Sequence, residues 1–573
     1  MYKSLCVQAY QLDGNTNQIC LDIIDQQLKR KGFVRTDYEN GQLIIILAIE
    51  CSNKKESFQI SRISESCIKI SGSDFLGLIY GIGKFLHESE FEKDTMRPLD
   101  WIGRSTPDKE IRGIYFATHF HNFYHDAPLG EIKNYLNDLI LWGINTLCVW
   151  FDMHHYSTID HPLAHNMIER LRIIFGYARK INIKTCLLII GNESFSGSPE
   201  DLRAQYSEGH DGYVRQLAGH YHVELCPSKR EGFELLLQWR REVFEKFKDV
   251  KLDYILIWPY DQGGCTCSAC KPWGANGFLK IAEPVAEKAK DMFYDTKIIL
   301  STWLFDSFTS GEWDGLWNRL EYKAPWVDYL LAEFLDGQLP TIIEMKGFPA
   351  QLPCLGFPEI SMYGAVPWGG FGANPIPNHI QKTWDIAGKH LAGGFPYSEG
   401  IFDDINKVIY LSLYWDKHIS SEEALKIYLS YEFGRKYVDN LIRAINLLEK
   451  SINRNRIDEK GTNHNYADSK IPWVGDQRFV IENTDGIDEA FTIISEINDL
   501  LDNEVKASWR WRIIFLRGLI DKELLHNAFI TNEVIEIAYK ELTGIYHAEQ
   551  ADYYVAPPSL QSIRENRGGF SWF

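Results

Sequence analysis

From about residue 110 the chain alternates two hydrophobic patterns. Short apolar runs are followed by longer stretches in which apolar positions recur every three or four residues, the signatures of strand and helix. The runs predict strands over Gly113–His119, Thr146–Asp152, Thr185–Glu193, Asp253–Asp261, Lys297–Asp306, Asp328–Asp336, Cys354–Trp368 and Leu391–Glu399. Amphipathic helices fall between them, among them Glu131–Trp142, Ala164–Lys180, Gly232–Phe247 and Phe278–Phe293. Near-continuous apolar strands separated by helices belong to a parallel sheet covered on its faces. Eight such repeats over about 300 residues predict an α/β fold built on a (β/α)8 TIM barrel, residues 106–417. The rival, an open doubly wound sheet, would bring a Gly-rich phosphate turn after its first strand, and none follows Gly113–His119.

The flanks have other rhythms. Residues 1–105 read as a small α/β domain. Leu43–Ala48, Phe58–Ile60 and Cys67–Ile70 are its strands, and an apolar, Gly-bearing helix runs to Leu86. Residues 87–110 are charged and carry prolines, as a linker does. Residues 418–573 turn helical, with periodic stretches at Glu422–Phe433, Val438–Ile452, Asp485–Asn503 and Trp509–Glu541. Asn453–Gln477 reads as a long polar loop, and the tail from Ala556 is irregular.

Composition narrows the class of partner. With 45% hydrophobic and 24% charged residues the chain can bury a large core. A net charge of −18 and the lack of any Lys/Arg block argue against nucleic acid and anionic membrane surfaces. No apolar stretch reaches the length of a membrane span, and the N-terminus lacks the pattern of a secretory leader. With eleven scattered cysteines this favours a reducing, cytoplasmic setting, or a periplasmic one if a leader had been trimmed. The 13% aromatic content, including 17 Trp, suits a carbohydrate partner, because rings stack on the apolar faces of sugars. A large aromatic core would give the same percentage.

Strand ends separate these readings, because a TIM barrel builds its active site there. The predicted strands finish at Asp152, Glu193, Asp261, Asp306, Glu333 and Glu399, so six of eight end on or beside a carboxylate. Trp150, Trp258, Trp303 and Trp368 lie close by. Glycoside hydrolysis needs one carboxyl kept protonated as general acid and a second as base or nucleophile, and it needs no cofactor. Asp261 leads the catalytic candidates, since it follows an apolar strand and precedes Gln262-Gly263-Gly264. Glu333, an acid inside an apolar strand, and Glu399, an isolated carboxylate at a Gly-bearing turn, complete the set. Asp152, Glu193, Tyr397 and the four tryptophans are the candidate substrate contacts. His119 joins them, because it alternates with His121 at the end of the first strand and one of the two faces the barrel mouth.

Cys265, Cys267 and Cys270 follow Asp261 at the spacing of soft-metal ligands, and Cys226 in the preceding repeat is the candidate fourth. A four-thiolate zinc site would be structural and would pin the loop that carries Asp261. Reduced cysteines packed as small apolar side chains are the alternative. A His/Asp metal hydrolase and a non-catalytic glycan-binding barrel also remain open.

The segments Phe58-Gln-Ile60, Ile68-Lys-Ile-Ser-Gly72 and Asp74-Phe-Leu-Gly-Leu-Ile-Tyr-Gly81 resemble the leading domain of family 20 β-hexosaminidases and of family 67 and 115 α-glucuronidases. Domain order extends that resemblance over residues 1–415. Asp261-Gln-Gly-Gly-Cys-Thr-Cys-Ser-Ala-Cys270 is similar to the Asp and clustered cysteines of family 163 endo-β-N-acetylglucosaminidases. The resemblance implies a glycoside hydrolase acting on an N-acetylhexosaminide or a uronide. One departure counts against acetamido-assisted chemistry. Family 20 enzymes end strand four with Asp-Glu, whereas Asp261 is followed by Gln262, which cannot deliver a proton.

Overall fold

The computed structural model describes residues 1–547 apart from 38–41, 51, 53, 93–94, 119–121, 206–222, 260–263, 307–308, 321–325, 335–351, 362–370, 458–462 and 465–477. Its centre is a closed barrel of eight parallel strands. Strands one to seven are Ile111–Phe116, Thr146–Trp150, Lys184–Ile190, Tyr254–Trp258, Lys297–Ser301, Tyr329–Phe334 and Cys354–Pro358. The eighth comes in two pieces, Gly393–Gly394 and Tyr397–Ser398, and both pair with strand one.

The strands are apolar throughout because each divides its side chains between two cores. Tyr115, Cys148, Leu188, Leu256, Ile299, Leu331, Leu355 and Phe357 fill the barrel interior. Their neighbours Ile114, Leu147, Leu187, Ile255, Ile298 and Leu330 face the surrounding helices. Closure depends on glycine. Gly393 has φ +139°, and a Cβ on it would stand 1.8 Å from the Ile111 carbonyl oxygen, so the last strand could not otherwise reach the first.

The N-terminal sheet has the strand order Leu5–Tyr10, Leu43–Ile49, Cys67–Gly72, Phe58–Ser64, Gly103–Ser105. Its first strand and the helix Gly14–Arg30 add to the elements read from the pattern. The residues expected to be a linker supply its edge strand, Gly103–Ser105, which pairs with Phe58–Ile60. The helix Phe75–Glu88 is apolar on all sides because it packs between this sheet and the barrel's helices. The Asp74 carboxylate caps it by accepting the Gly77 N–H at 2.8 Å, and the Tyr80 hydroxyl donates to the Ile144 carbonyl at 2.9 Å.

Helices Asp404–Trp415, Ser421–Phe433, Val438–Lys450, Ile487–Leu500, Trp509–His526 and Glu533–Tyr546 follow the barrel. The stretch read as one helix from Trp509 to Glu541 is two, broken where Ala528 and Phe529 take positive φ. Part of the expected polar loop is strand, with Arg454–Ile457 pairing with Asn463–His464 and with Arg478–Ile481. No helix among the described residues is long and apolar enough to cross a membrane.

A buried charge network joins the three regions. The Arg510 guanidinium donates from Nε to Asp404 Oδ2 at 2.8 Å and from Nη2 to Asp138 Oδ2 at 2.9 Å, with Glu432 Oε1 3.6 Å away. Arg30, from the first helix, donates to Glu432 Oε2 at 2.6 Å and to Asp138 Oδ1 at 3.3 Å. Burial alone would raise the Glu432 pKa, but Arg30 and Arg510 overcome it and hold the group at about 2. Removing one member of such a set strands the others without solvent or partner. Arg510→Met should therefore cost about 3–5 kcal/mol in urea denaturation at neutral pH. A loss under about 1 kcal/mol would show that the three acids find other partners.

Candidate functional site

Side chains alternate along a strand, so a residue two positions beyond an interior one rises from the same face at the barrel mouth. Trp150 is interior and Asp152 stands above it. Phe357 and Tyr397 are interior, with ring centroids 5.9 Å apart, and Glu359 and Glu399 stand above them. Glu359 forms a parallel bridge with Tyr397, which sets the seventh and eighth strand ends side by side.

Glu399 is buried, and its Oε1 accepts the Tyr397 hydroxyl at 2.5 Å. Burial raises its pKa well above the carboxylate range; the Tyr397 hydrogen bond opposes this, and the nearby acids Glu359 and Asp403 add to it. Burial thus favours the neutral form of the carboxyl. Its backbone is held on both sides: the Glu399 N–H donates to Ser361 Oγ at 2.9 Å, and the Tyr546 hydroxyl donates to the Glu399 carbonyl. At Gly400 a Cβ would lie 2.3 Å from the Tyr546 ring, so only glycine lets the last helix seat here. Below, Lys407 and Asp403 form a buried ion pair that also ties down Ser398 and Tyr124. Half-buried Glu359 accepts the Ser361 N–H through Oε1 at 2.7 Å.

A second acidic cluster lies across the mouth, at the ends of strands two and three. Glu193 is buried; Trp150 Nε1 donates to its Oε2 at 3.2 Å, and His154 Nδ1 lies 2.8 Å from its Oε1. Burial raises its pKa to about 8 against the pull of Arg240, with the Asp152 charge adding to the rise. His155 Nδ1 sits against Asp152 Oδ2. Asp152, His154 and His155 place ligand atoms within 4.8 Å of one another, but all three come from one turn rather than from several strands.

The remaining candidates fall as follows. Glu333 is in strand six, in register with Phe357, and its side chain is outside the described part. Asp261, His119 and Trp368 lie outside the described residues. Trp150 and Trp258 are packed in the barrel interior, where the expected open platform is not available to them, because interior positions are the ones that fill the barrel. Half-buried Trp303 packs at a tilt against Trp258, with ring centroids 5.1 Å apart. Asp306 does not face the mouth. Its Oδ1 accepts the Glu312 N–H at 2.7 Å, while Glu312 Oε2 accepts the Asp306 N–H at 2.9 Å, a reciprocal lock on the helix Glu312–Leu320.

Strand seven is the main difference from expectation. It ends at Pro358 rather than running to Trp368, so its terminal carboxylate is Glu359, which sequence reading missed. Pro358 was the available signal, since proline cannot continue a strand ladder.

The four cysteines Cys226, Cys265, Cys267 and Cys270 do converge, with all four sulfurs within 4.8 Å of one another. No described cysteine forms a disulfide.

The closed eight-stranded parallel barrel is shared with several glycoside hydrolases of known structure. A family 89 enzyme from Clostridium perfringens, solved with its substrate GlcNAc-α-1,4-galactose, superposes with a TM-score of 0.58 at 15% identity over 92% of this chain and 64% of that one. A family 115 4-O-methyl-α-glucuronidase with specificity for decorated arabinogalactans gives 0.58 at 12% identity, covering 94% and 75%. A family 20 exo-β-N-acetylglucosaminidase from Vibrio harveyi gives 0.51 at 12% identity, covering 75% and 74%. This chain thus spans 64% of the length of the family 89 enzyme. No family model and no curated protein matches the sequence.

The raised Glu193 pKa has a stability consequence. In the unfolded chain the group titrates near 4.5, and in the fold at about 8. Below the first value it is protonated in both states, so the neutral buried form costs nothing extra. Between the two values folding must take up a proton, and stability falls as pH rises, by up to about 1.4 kcal/mol per pH unit. Glu193→Gln should flatten that decline in thermal melts. An unchanged slope would show that Glu193 is ionised in the folded protein.

Proposed function

We propose that this protein is a glycoside hydrolase acting on an N-acetylhexosaminide or a uronide at the C-terminal face of the barrel. The observation that carries the reading is the Glu399 carboxyl, buried so that its neutral form is favoured and aligned by Tyr397, with the Glu359 carboxyl on the adjoining strand end. A neutral carboxyl at neutral pH can protonate a leaving glycosidic oxygen. A second carboxylate stabilises the cationic character that grows at the anomeric carbon, as nucleophile or through an activated water. Trp303 supplies the ring surface for the sugar, and Asp152, Glu193 and their histidines face the hydroxyls. Asp261 and Glu333 enter by strand position, as alternative partners to Glu399. The shared barrel of the family 89, 115 and 20 enzymes supports the class, and their printed substrates suggest the two sugar types.

The test is a panel of aryl and natural glycosides, including N-acetylhexosaminides and glucuronides. Wild type would be compared with Glu359→Gln, Glu399→Gln, Asp261→Asn and Glu333→Gln. Glu399→Gln and Glu359→Gln should each lower kcat by at least about 100-fold. The Glu399→Gln loss should be smaller on activated aryl leaving groups, which need little protonation. Full activity in both variants would overturn the site assignment. Sugar binding without turnover by wild type would favour a glycan-binding protein on this fold.

A further inference from the structure

The cysteine cluster lies apart from the carboxyl site. Cys226 belongs to the long connection after strand three, and Cys265, Cys267 and Cys270 to the connection after strand four. Cys226, Cys265 and Cys270 are buried, and Cys267 is half-buried. Zn–S bonds of about 2.3 Å at tetrahedral angles place sulfurs about 3.8 Å apart, against about 2.05 Å in a disulfide. Cys226 Sγ stands 3.7 Å from Cys267 Sγ and 3.8 Å from Cys270 Sγ. The surroundings suit thiolate: the Gln205 N–H donates to Cys265 Sγ at 3.4 Å, and Ser228 Oγ lies 3.0 Å from Cys270 Sγ. Four sulfurs within 4.8 Å of one another enclose a point that a dication can occupy by displacing the thiol protons.

We infer that Cys226, Cys265, Cys267 and Cys270 bind one structural zinc ion through four thiolates, fastening the strand-three connection to the strand-four connection. The backbone around the cluster fits that role. The Thr266 N–H donates to the Gln205 carbonyl at 2.7 Å, which bridges the two connections directly. Cys226 follows Glu224 and Leu225, and Glu224 forms an antiparallel bridge with Glu193 while the Leu225 N–H donates to the Asn192 carbonyl at 3.0 Å. The metal would therefore hold the turn that carries Glu193 against the loop that follows Asp261. A closed four-sulfur shell leaves no position for substrate or water, so the ion would serve structure and not the reaction.

Metal content of the full chain, purified without chelator, should be about one zinc per chain, and the Cys265→Ser/Cys267→Ser variant should hold less than about 0.2. Cobalt added to reduced, metal-free protein should give intense sulfur-to-cobalt charge-transfer bands in the near ultraviolet, a readout that needs no variant to fold. Zinc or cobalt should also raise the melting temperature of the metal-free protein, and not that of the variant. Four of the thiols lost to disulfides, iron in place of zinc, or a wild type that binds neither zinc nor cobalt would overturn the proposal. So would a variant that keeps its zinc, which would place the ion elsewhere, as at Asp152, His154 and His155. None of these measurements depends on the chain being a hydrolase.

Discussion

Arg510 is the constraint on which the arrangement rests. It lies in a C-terminal helix, yet its guanidinium is buried against Asp404 after the last barrel strand, Asp138 on a barrel helix and Glu432 on the helix that meets Arg30 of the N-terminal region. Taking so many charges out of water is unfavourable unless each finds its partners, and in this arrangement of the three regions they do. Asp404 also accepts hydroxyl hydrogens from Tyr135 and Tyr428, both at 2.7 Å, which leaves its carboxylate saturated. Its neighbour Asp403 pairs with Lys407 and accepts hydrogen bonds from Ser361 and Ser398. The loop bearing Glu399 is thus built over a fixed electrostatic floor, and the last helix closes it from above through Tyr546.

Two buried glutamates at one barrel mouth have their pKa values raised in different surroundings. Glu399 has a single hydroxyl donor and a neighbouring carboxylate, conditions under which a proton is retained and can still be given up. Glu193 is enclosed by Trp150 and His154, with Arg240 donating to its backbone carbonyl at 2.8 Å, and resembles a positioned hub more than a donor. Both are raised first by burial, and their neighbours set the difference between them.

The barrel was legible because its strands serve two cores at once, which leaves unbroken apolar runs where a sheet with one wet face would alternate. Carboxylates at strand ends were legible for the same reason: they interrupt those runs. The reading failed where an apolar run outlasted its strand. Cys354 to Trp368 is apolar well beyond Pro358, so the terminal acid was sought too late and Glu359 was passed over. Asp306 was misplaced for the opposite reason, because a carboxylate after a strand serves equally to cap the following helix. Tryptophans beside strand ends looked like sugar platforms, but alternation puts Trp150 and Trp258 inside, and of the three described ones Trp303 alone is half-buried rather than buried.

Sequence alone determined the repeat of eight strands and helices, the ring of acids at their ends, and the spacing of three cysteines, because each is a local pattern imposed by periodicity or ligand geometry. Tertiary structure decided which of those acids share an environment. Ionisation depends on burial and on neighbours distant in the chain, such as Glu359 beside Glu399, or Arg30 beside Glu432. It also decided that Cys226 joins the other three, since the pairing of strands three and four brings the connections after them together.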